Sequence, residues 1–393
     1  MDISKIKSMV RYARWKTKKT LATFLFSRCS IHKNKIIFDN FLGKSYGDNP
    51  KYITEELLKR NLNYDIVWVL KNENANVPKG VRTVKYGSFK ALYEYATAHF
   101  WVDNVRNNIR TKKKKGQIYL QTWHGGFGAK PVEGMVENKL SKEYIKQAKQ
   151  DGVETDAIIV CCEAQEKIFK EFFWLNKDTE YLRIGLPRND VLFQIENQLE
   201  NNKKVIKELD IDKDSYIVLY APTFRDDGST DGYLHDLDTI CVAFEKRMNK
   251  KCTIIIRMHP NAENLAHIYK YNRYIINGTH YPDSQKLCIL ADSVITDYSS
   301  IADDSAIIRK FVLLYVSDID NYRKNRGVLK EFNESALPKA YDEEQLVKYI
   351  NELNEAEYNR LLNRYLSENP IYDNGKAAKS AVDWIISYNT EKQ

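Results

Sequence analysis

Beyond residue 35, short apolar runs alternate with longer stretches whose apolar positions recur every three or four residues. The runs predict strands over 35–41, 65–70, 82–86, 100–103, 117–122, 157–161 and 181–184, then over 216–220, 253–258, 274–276, 293–296 and 312–316. Several, such as 157–160 and 254–256, are continuous in Ile, Val or Ala rather than alternating, as parallel strands covered on both faces require. The amphipathic stretches predict helices over 53–60, 89–98, 163–174, 237–249, 261–270, 301–309 and 343–353. This βαβ alternation points to doubly wound α/β architecture. The stretch 193–214 is polar and charge-rich with no strand signal, and is read as a crossing between two Rossmann-like domains. A cleft then lies between them, where ligands meet the C-terminal ends of strands.

Charge changes the picture at one end only. The chain of 393 residues is 43% hydrophobic and 29% charged, which excludes a disordered or collagen-like chain. Its net charge is +8, yet residues 1–35 hold ten Lys/Arg against the single acid Asp2, so the remainder carries −1. Nucleic acid is therefore not the expected partner, since the body has neither a basic surface nor a binding motif. Ile3, Ile6, Val10 and Ala13 fall on one helical stripe, with Lys5, Lys7, Arg11 and Arg14 mostly elsewhere, and Leu21, Phe24 and Leu25 follow. Such a basic amphipathic segment, residues 1–30, suits an anionic membrane surface, each cation contributing about 1 kcal/mol. A solvated tail, or a helix packed on its own domain, is the plainer alternative. No run of about 18 apolar residues occurs, and Leu21–Phe26 is too short for a secretory core. The expected location is the cytoplasmic face of the membrane. The six cysteines form no CxxC pair and no metal-like spacing, so no metal is expected, and Cys161, Cys162 and Cys252 read as buried thiols.

Four motifs sit just past predicted strands. His124 in Gln121-Thr122-Trp123-His124-Gly125-Gly126 can reach a cleft from a glycine-flanked exit, or merely cap a turn. Arg225 in Tyr220-Ala221-Pro222-Thr223-Phe224-Arg225-Asp226-Asp227 offers a phosphate fork, or pairs with Asp226 or Asp227 at the surface. In Arg257-Met258-His259-Pro260 a cation and an imidazole share a strand end, and Pro260 suits the first turn of a following helix. In Thr296-Asp297-Tyr298-Ser299-Ser300 two hydroxyls precede a helix start, which reads as an anion site or as an ordinary N-cap. The adjacent Asp303 and Asp304 read as a solvated first turn. No Walker lysine, GxGxxG or GxSxG is present.

Taken in order, TWHG, Gly185-Leu186-Pro187-Arg188-Asn189-Asp190, YAPTFRD, RMHP, Tyr281-Pro282-Asp283, ADSVITDYSS, Tyr322-Arg323 with Arg326-Gly327, and Tyr372-Asp373-Asn374-Gly375-Lys376-Ala377 resemble the CDP-glycerol glycerophosphotransferase family. The resemblance is strongest from Gln121 to about Gly327. Two segments depart from the family's usual pattern: Gly126-Phe127-Gly128-Ala129-Lys130 stands where Thr-Pro-Leu-Lys follows TWHG, and Ala302-Asp303-Asp304-Ser305 follows DYSS. The resemblance implies a GT-B fold, with the basic arm at 1–34, an acceptor domain at 35–195 and a donor domain at 196–393. It further implies transfer of glycerol phosphate from CDP-glycerol to a lipid-linked acceptor with release of CMP and no tightly bound cofactor. The implied catalytic pair is His124 and His259. Implied donor contacts fall on Arg225, Ser299 and Ser300, with Thr223, Arg257 and Asp297 beside them. CDP-ribitol, or a nucleotide sugar as in GT-B glycosyltransferases, would fit the same cleft. So would a membrane-associated polymer-binding protein with an inactive site. The sequence leaves a homo-oligomer open.

Overall fold

The computed structural model describes residues 3–107, 109–126, 128–368 and 370–390. The first sheet contains β1 (His32–Asp39), β2 (Asp65–Leu70), β3 (Val81–Lys85), β4 (Ala98–Asp103), β5 (Ile118–Gln121), β6 (Ala157–Val160) and β7 (Glu180–Arg183). The second contains β8 (Tyr216–Ala221), β9 (Cys252–Ile256), β10 (Ile275–Asn277), β11 (Ser293–Thr296), β12 (Phe311–Tyr315) and β13 (Lys339–Ala340). Their orders are β3-β2-β1-β4-β5-β6-β7 and β10-β9-β8-β11-β12-β13, parallel throughout. The continuous apolar runs explain the layering: Ile254, Ile255 and Ile256 are wholly buried, so side chains on both faces of β9 meet covering elements. Each such side chain contributes about 1.5–3 kcal/mol by leaving water. Both sheets reverse their winding beside the first strand, between β1 and β4 and between β8 and β11. Those are the points where α/β folds bind ligands. The architecture is the expected GT-B pair of Rossmann-like domains around a cleft.

Four segments differ from the sequence expectations. The tail does not stay with the second domain, as the range 196–393 assumed. The helix Ala377–Thr390 returns to the first sheet, where Ala381, Val382 and Ile385 share a core with Ile36, Phe100 and Leu182. The Asp190 carboxylate accepts from the backbone N–H groups of Ala377 (2.8 Å) and Ala378 (2.7 Å), capping the returning helix from the first domain. Gly185, at φ +78°, lets the same junction close: a Cβ there would lie 2.6 Å from Asp373 Cα. The GLPRND and YDNGK motifs are thus two sides of one crossing.

The polar stretch 193–214 holds the helix Ile195–Glu208, anchored in the second core by the fully buried Val205. Over 261–270 only a tight turn forms, Glu263–Ile268, and Pro260 is exposed ahead of it instead of opening a helix. The N-terminal segment is the helix Ile3–Phe26, but its end is docked rather than free. Ala22 is buried, Phe26 packs edge-on against Phe89 (5.0 Å) and Tyr93 (5.3 Å), and Lys18 Nζ donates to the Gly87 carbonyl at 2.6 Å. The stripe of Ile3, Ile6, Val10 and Ala13 lies outside the residues whose side chains are described.

Candidate active site

The first-domain wall is built on a strained turn. Trp123 has φ +52°, unusual for a bulky residue. It is held by its ring against Phe173 (4.7 Å) and by Gln121 Oε1, which accepts from its N–H at 2.9 Å. The turn presents His124, whose ring lies against Trp123 (4.4 Å) and the edge of Phe41 (5.2 Å). Its Nδ1 is 2.7 Å from the Asn104 carbonyl, at the end of β4. A carbonyl only accepts, so Nδ1 carries the proton and Nε2 presents a lone pair. Burial lowers the His124 pKa below 6.5, with the Asn104 bond opposing, which keeps the imidazole neutral near pH 7. An activity that uses this lone pair should therefore show an acid limb below pH 6.5 and a plateau across neutrality. A kcat/KM profile with the nucleotide donor checks it, and an acid limb centred above pH 6.5 would contradict it.

His259, past β9, has the opposite polarity. Its Nδ1 accepts from the Asn261 N–H at 3.1 Å, so the neutral ring carries its proton on Nε2. Burial, followed by the charges of Lys130, Arg326, Lys44 and His124, lowers its pKa to about 3. The ring stacks obliquely on Phe224 (4.6 Å), whose other neighbour is the Arg326 guanidinium at 4.2 Å. One histidine thus offers an acceptor and the other a donor, each tautomer set by the backbone.

Other sequence candidates fall differently. Asp297 accepts from the Thr223 N–H (2.9 Å), the Thr223 hydroxyl and the Tyr298 N–H (2.6 Å). It also accepts from Arg225 Nη1 at 2.9 Å, while Arg225 Nε and Nη2 are held by Asp318 at 2.6 and 3.0 Å. Arg225 is buried, and its fork clamps together the loops after β8, β11 and β12. Its expected surface partner, Asp226, instead pairs with Arg326 at 2.5 Å. Arg257 donates to the carbonyls of Tyr281 (2.5 Å) and Gly278 (3.3 Å) and has no carboxylate partner among the described residues. Burial lowers its pKa. Ser299 Oγ accepts from the Ile301 N–H at 3.3 Å, while Ser300 makes no side-chain cap to the helix Ile301–Ile307.

The acids beyond the serines are not solvated. Asp304 is buried and meets Arg188 Nη2 (3.1 Å), Asn189 Nδ2 (3.0 Å) and Gln285 Nε2 (3.1 Å). Asp303 accepts from the Tyr365 hydroxyl, and burial raises its pKa to about 7. Pairing of one acid and the raised pKa of the other temper the negative charge beside the serines.

Three residues given no role from the sequence complete the site. Arg188 Nη1 donates to the His124 carbonyl at 2.5 Å and to Asp48 at 3.2 Å, so one guanidinium ties the His124 turn to Asp304 of the second domain. Arg326 lies on Phe224, and Lys130 sits six residues past His124 where the loop crosses the cleft. Gly126 lies against the serines, since a Cβ there would be 3.7 Å from Ser300 Cβ and 3.2 Å from Asp303 Oδ2. Arg188 stood within a quoted motif, and Lys130 was the one cation in the loop after TWHG, but neither carries a periodicity signal.

Two parallel Rossmann sheets facing a histidine-lined cleft at their strand ends define the GT-B fold class. The model for CDP-glycerol:poly(glycerophosphate) glycerophosphotransferase matches residues 21–387, and the chain belongs to that family. A teichoic acid poly(glycerol phosphate) polymerase of Staphylococcus epidermidis is 30% identical over 91% of this chain and 51% of its own length. The chain thus spans about half the length of that relative, and likewise of the Bacillus subtilis polymerase (53%). The Bacillus spizizenii polymerase is 27% identical over 89% of this chain and 91% of its own length. Among solved structures, the wall teichoic acid polymerase TagF superposes with a TM-score of 0.85 at 27% identity, covering all of both chains. A histidine variant of TagF was soaked with CDPG.

Proposed function

We propose that the protein transfers glycerol phosphate from CDP-glycerol to a hydroxyl of a lipid-linked acceptor, releasing CMP, in teichoic acid or related polymer synthesis. The observation that carries this reading is the pair of neutral histidines with opposite tautomers at strand ends of the two domains. Family membership and the CDPG-soaked TagF support the donor. In the proposed step the acceptor hydroxyl gives its proton to His124 Nε2 as its oxygen bonds to the β-phosphorus. The bond from that phosphorus to the bridging oxygen breaks, and its electron pair leaves with CMP. His259 Nε2–H donates to the phosphate oxygens, where charge gathers. Ser300 and Arg257 are further proposed donors, and the Arg225 clamp holds the loop that carries Ser300. The chemistry requires no tightly bound cofactor. Screening donors for released CMP against released UDP tests the assignment: CMP from CDP-glycerol supports it, while UDP from a nucleotide sugar replaces it with glycosyl transfer. Faster CMP release from CDP-ribitol would change the alditol, and no release from any donor would favour an inactive polymer-binding protein.

We also propose peripheral attachment to an anionic membrane through residues 1–30. No helix among the described residues is long and apolar enough to cross a bilayer. On the docked N-terminal helix, Phe24 is 74% exposed, Leu21 52% and Leu25 50%, an apolar edge on a helix that also carries the exposed Lys16. Replacing Leu21, Phe24 and Leu25 together with serine should lower binding to phosphatidylglycerol vesicles by at least about tenfold in a sedimentation assay. Unchanged binding, there and after deletion of residues 1–30, would refute attachment by this segment.

A further inference from the structure

The loop that leaves His124 does not stay in its own domain. Ala129 is 2% exposed and belongs to the second domain's core with Leu219, Tyr298 and Ala302. Its carbonyl accepts from the Leu329 N–H at 2.9 Å. Pro131 presses on Gly327, where a Cβ would fall 2.8 Å from the Pro131 Cγ and φ is +88°. Lys130 is thus held between two anchored neighbours, on the donor side of the cleft, although its chain comes from the acceptor side. Its carboxylate neighbours are already engaged: Asp297 by Thr223, Tyr298 and Arg225, and Asp226 by both nitrogens of the Arg326 fork at 2.5 Å. Among the described residues the Lys130 ammonium has no hydrogen bond or ion pair. It stands half-buried beside the Arg326–Phe224–His259 stack.

On the reading of function above, we propose that Lys130 is a catalytic residue that binds the donor's pyrophosphate from the acceptor side and neutralises the charge of the departing nucleoside monophosphate. Lys130 keeps its proton throughout. The acceptor oxygen forms the new bond to phosphorus, the bridging bond breaks toward the monophosphate, and the proton goes to His124. A compact ammonium suits this place, where the planar forks of Arg225 and Arg326 are already committed. Because Lys130 and His124 share one loop, donor binding also sets the base. Burial lowers the Lys130 pKa to about 8, with Arg326 and Arg225 acting in the same sense and Asp297 and Asp226 opposing. An anion bound there relieves the cost of holding the buried charge.

The test uses the full chain with Lys130→Met and Lys130→Arg, reading CMP and inorganic pyrophosphate binding by calorimetry and kcat/KM for CDP-glycerol against pH. Lys130→Met should lose about tenfold in affinity for both anions and about 10²-fold in kcat/KM. Lys130→Arg should keep the anion affinity and move the alkaline limb, expected near pH 8 in the parent, to higher pH. The groups facing Lys130 (Asp297, Asp226, Arg225, Arg326, His259 and His124) are unchanged in both variants. Unchanged anion binding in a Lys130→Met protein with a parental thermal transition would overturn the proposal. So would an unmoved alkaline limb in Lys130→Arg, which decides the matter if the methionine variant does not fold. If the parent releases no CMP from CDP-glycerol, the reading of function falls, and the anion-binding comparison still judges Lys130.

Discussion

Replacing His124 with alanine should slow CMP release from CDP-glycerol by about 10²–10⁴-fold while leaving CMP affinity within about twofold. The rate loss follows from removing the one imidazole whose tautomer leaves a free lone pair at the cleft. The Asn104 carbonyl fixes Nδ1–H, and burial keeps the ring neutral. Affinity should persist because the donor's anions are met from the second domain and from Lys130. His259→Ala should separate from this variant, weakening donor binding as well as rate, because its Nε2–H is a donor rather than a base. Both are read by steady-state kinetics with calorimetry on CMP. Full activity in the His124 variant would end its assignment as the base.

Arg225→Ala should destabilise the fold by about 3–5 kcal/mol, the cost of stranding buried carboxylates. Asp297 and Asp318 are each nearly fully buried and would lose their shared cation. The adjoining Tyr298 and Tyr322 rings would also lose the guanidinium packed over them at 5.2 and 5.1 Å. Urea unfolding followed by circular dichroism measures this. A residue that only binds the donor would behave differently, raising KM while leaving unfolding unchanged, and that outcome would favour the donor contact that the family resemblance implies.

The contrast between these residues shows what was legible. Strand runs such as 157–160 and 254–256 announced parallel, doubly covered sheets because burial on both faces leaves no polar alternation to obscure them. The histidines were legible because each follows a strand directly. The ion pairing of Arg225 was not, because its partner Asp318 lies 93 residues away. A fork bound to two acids and a fork open to phosphate have the same local sequence. The tail helix was misplaced for a related reason: Ala381, Val382 and Ile385 fit any sheet, and only Asp190, from the other end of the crossing, selects the first. Asp303 and Asp304 looked like a solvated turn because Arg188 and Tyr365, which hold them, come from distant parts of the chain. Polar pairing across long separations leaves no periodic trace, and this site is built from it.

The proposed reaction is glycerol phosphate transfer with CMP as the leaving group. Incubating the full chain with CDP-glycerol and a synthetic undecaprenyl-linked acceptor, and quantifying CMP against glycerol phosphate incorporated, tests it most directly. Glycerol phosphate transfer requires one CMP per unit added and no product from nucleotide sugars. Absence of CMP with an intact donor and acceptor, or release of UDP from a sugar donor in its place, would contradict it.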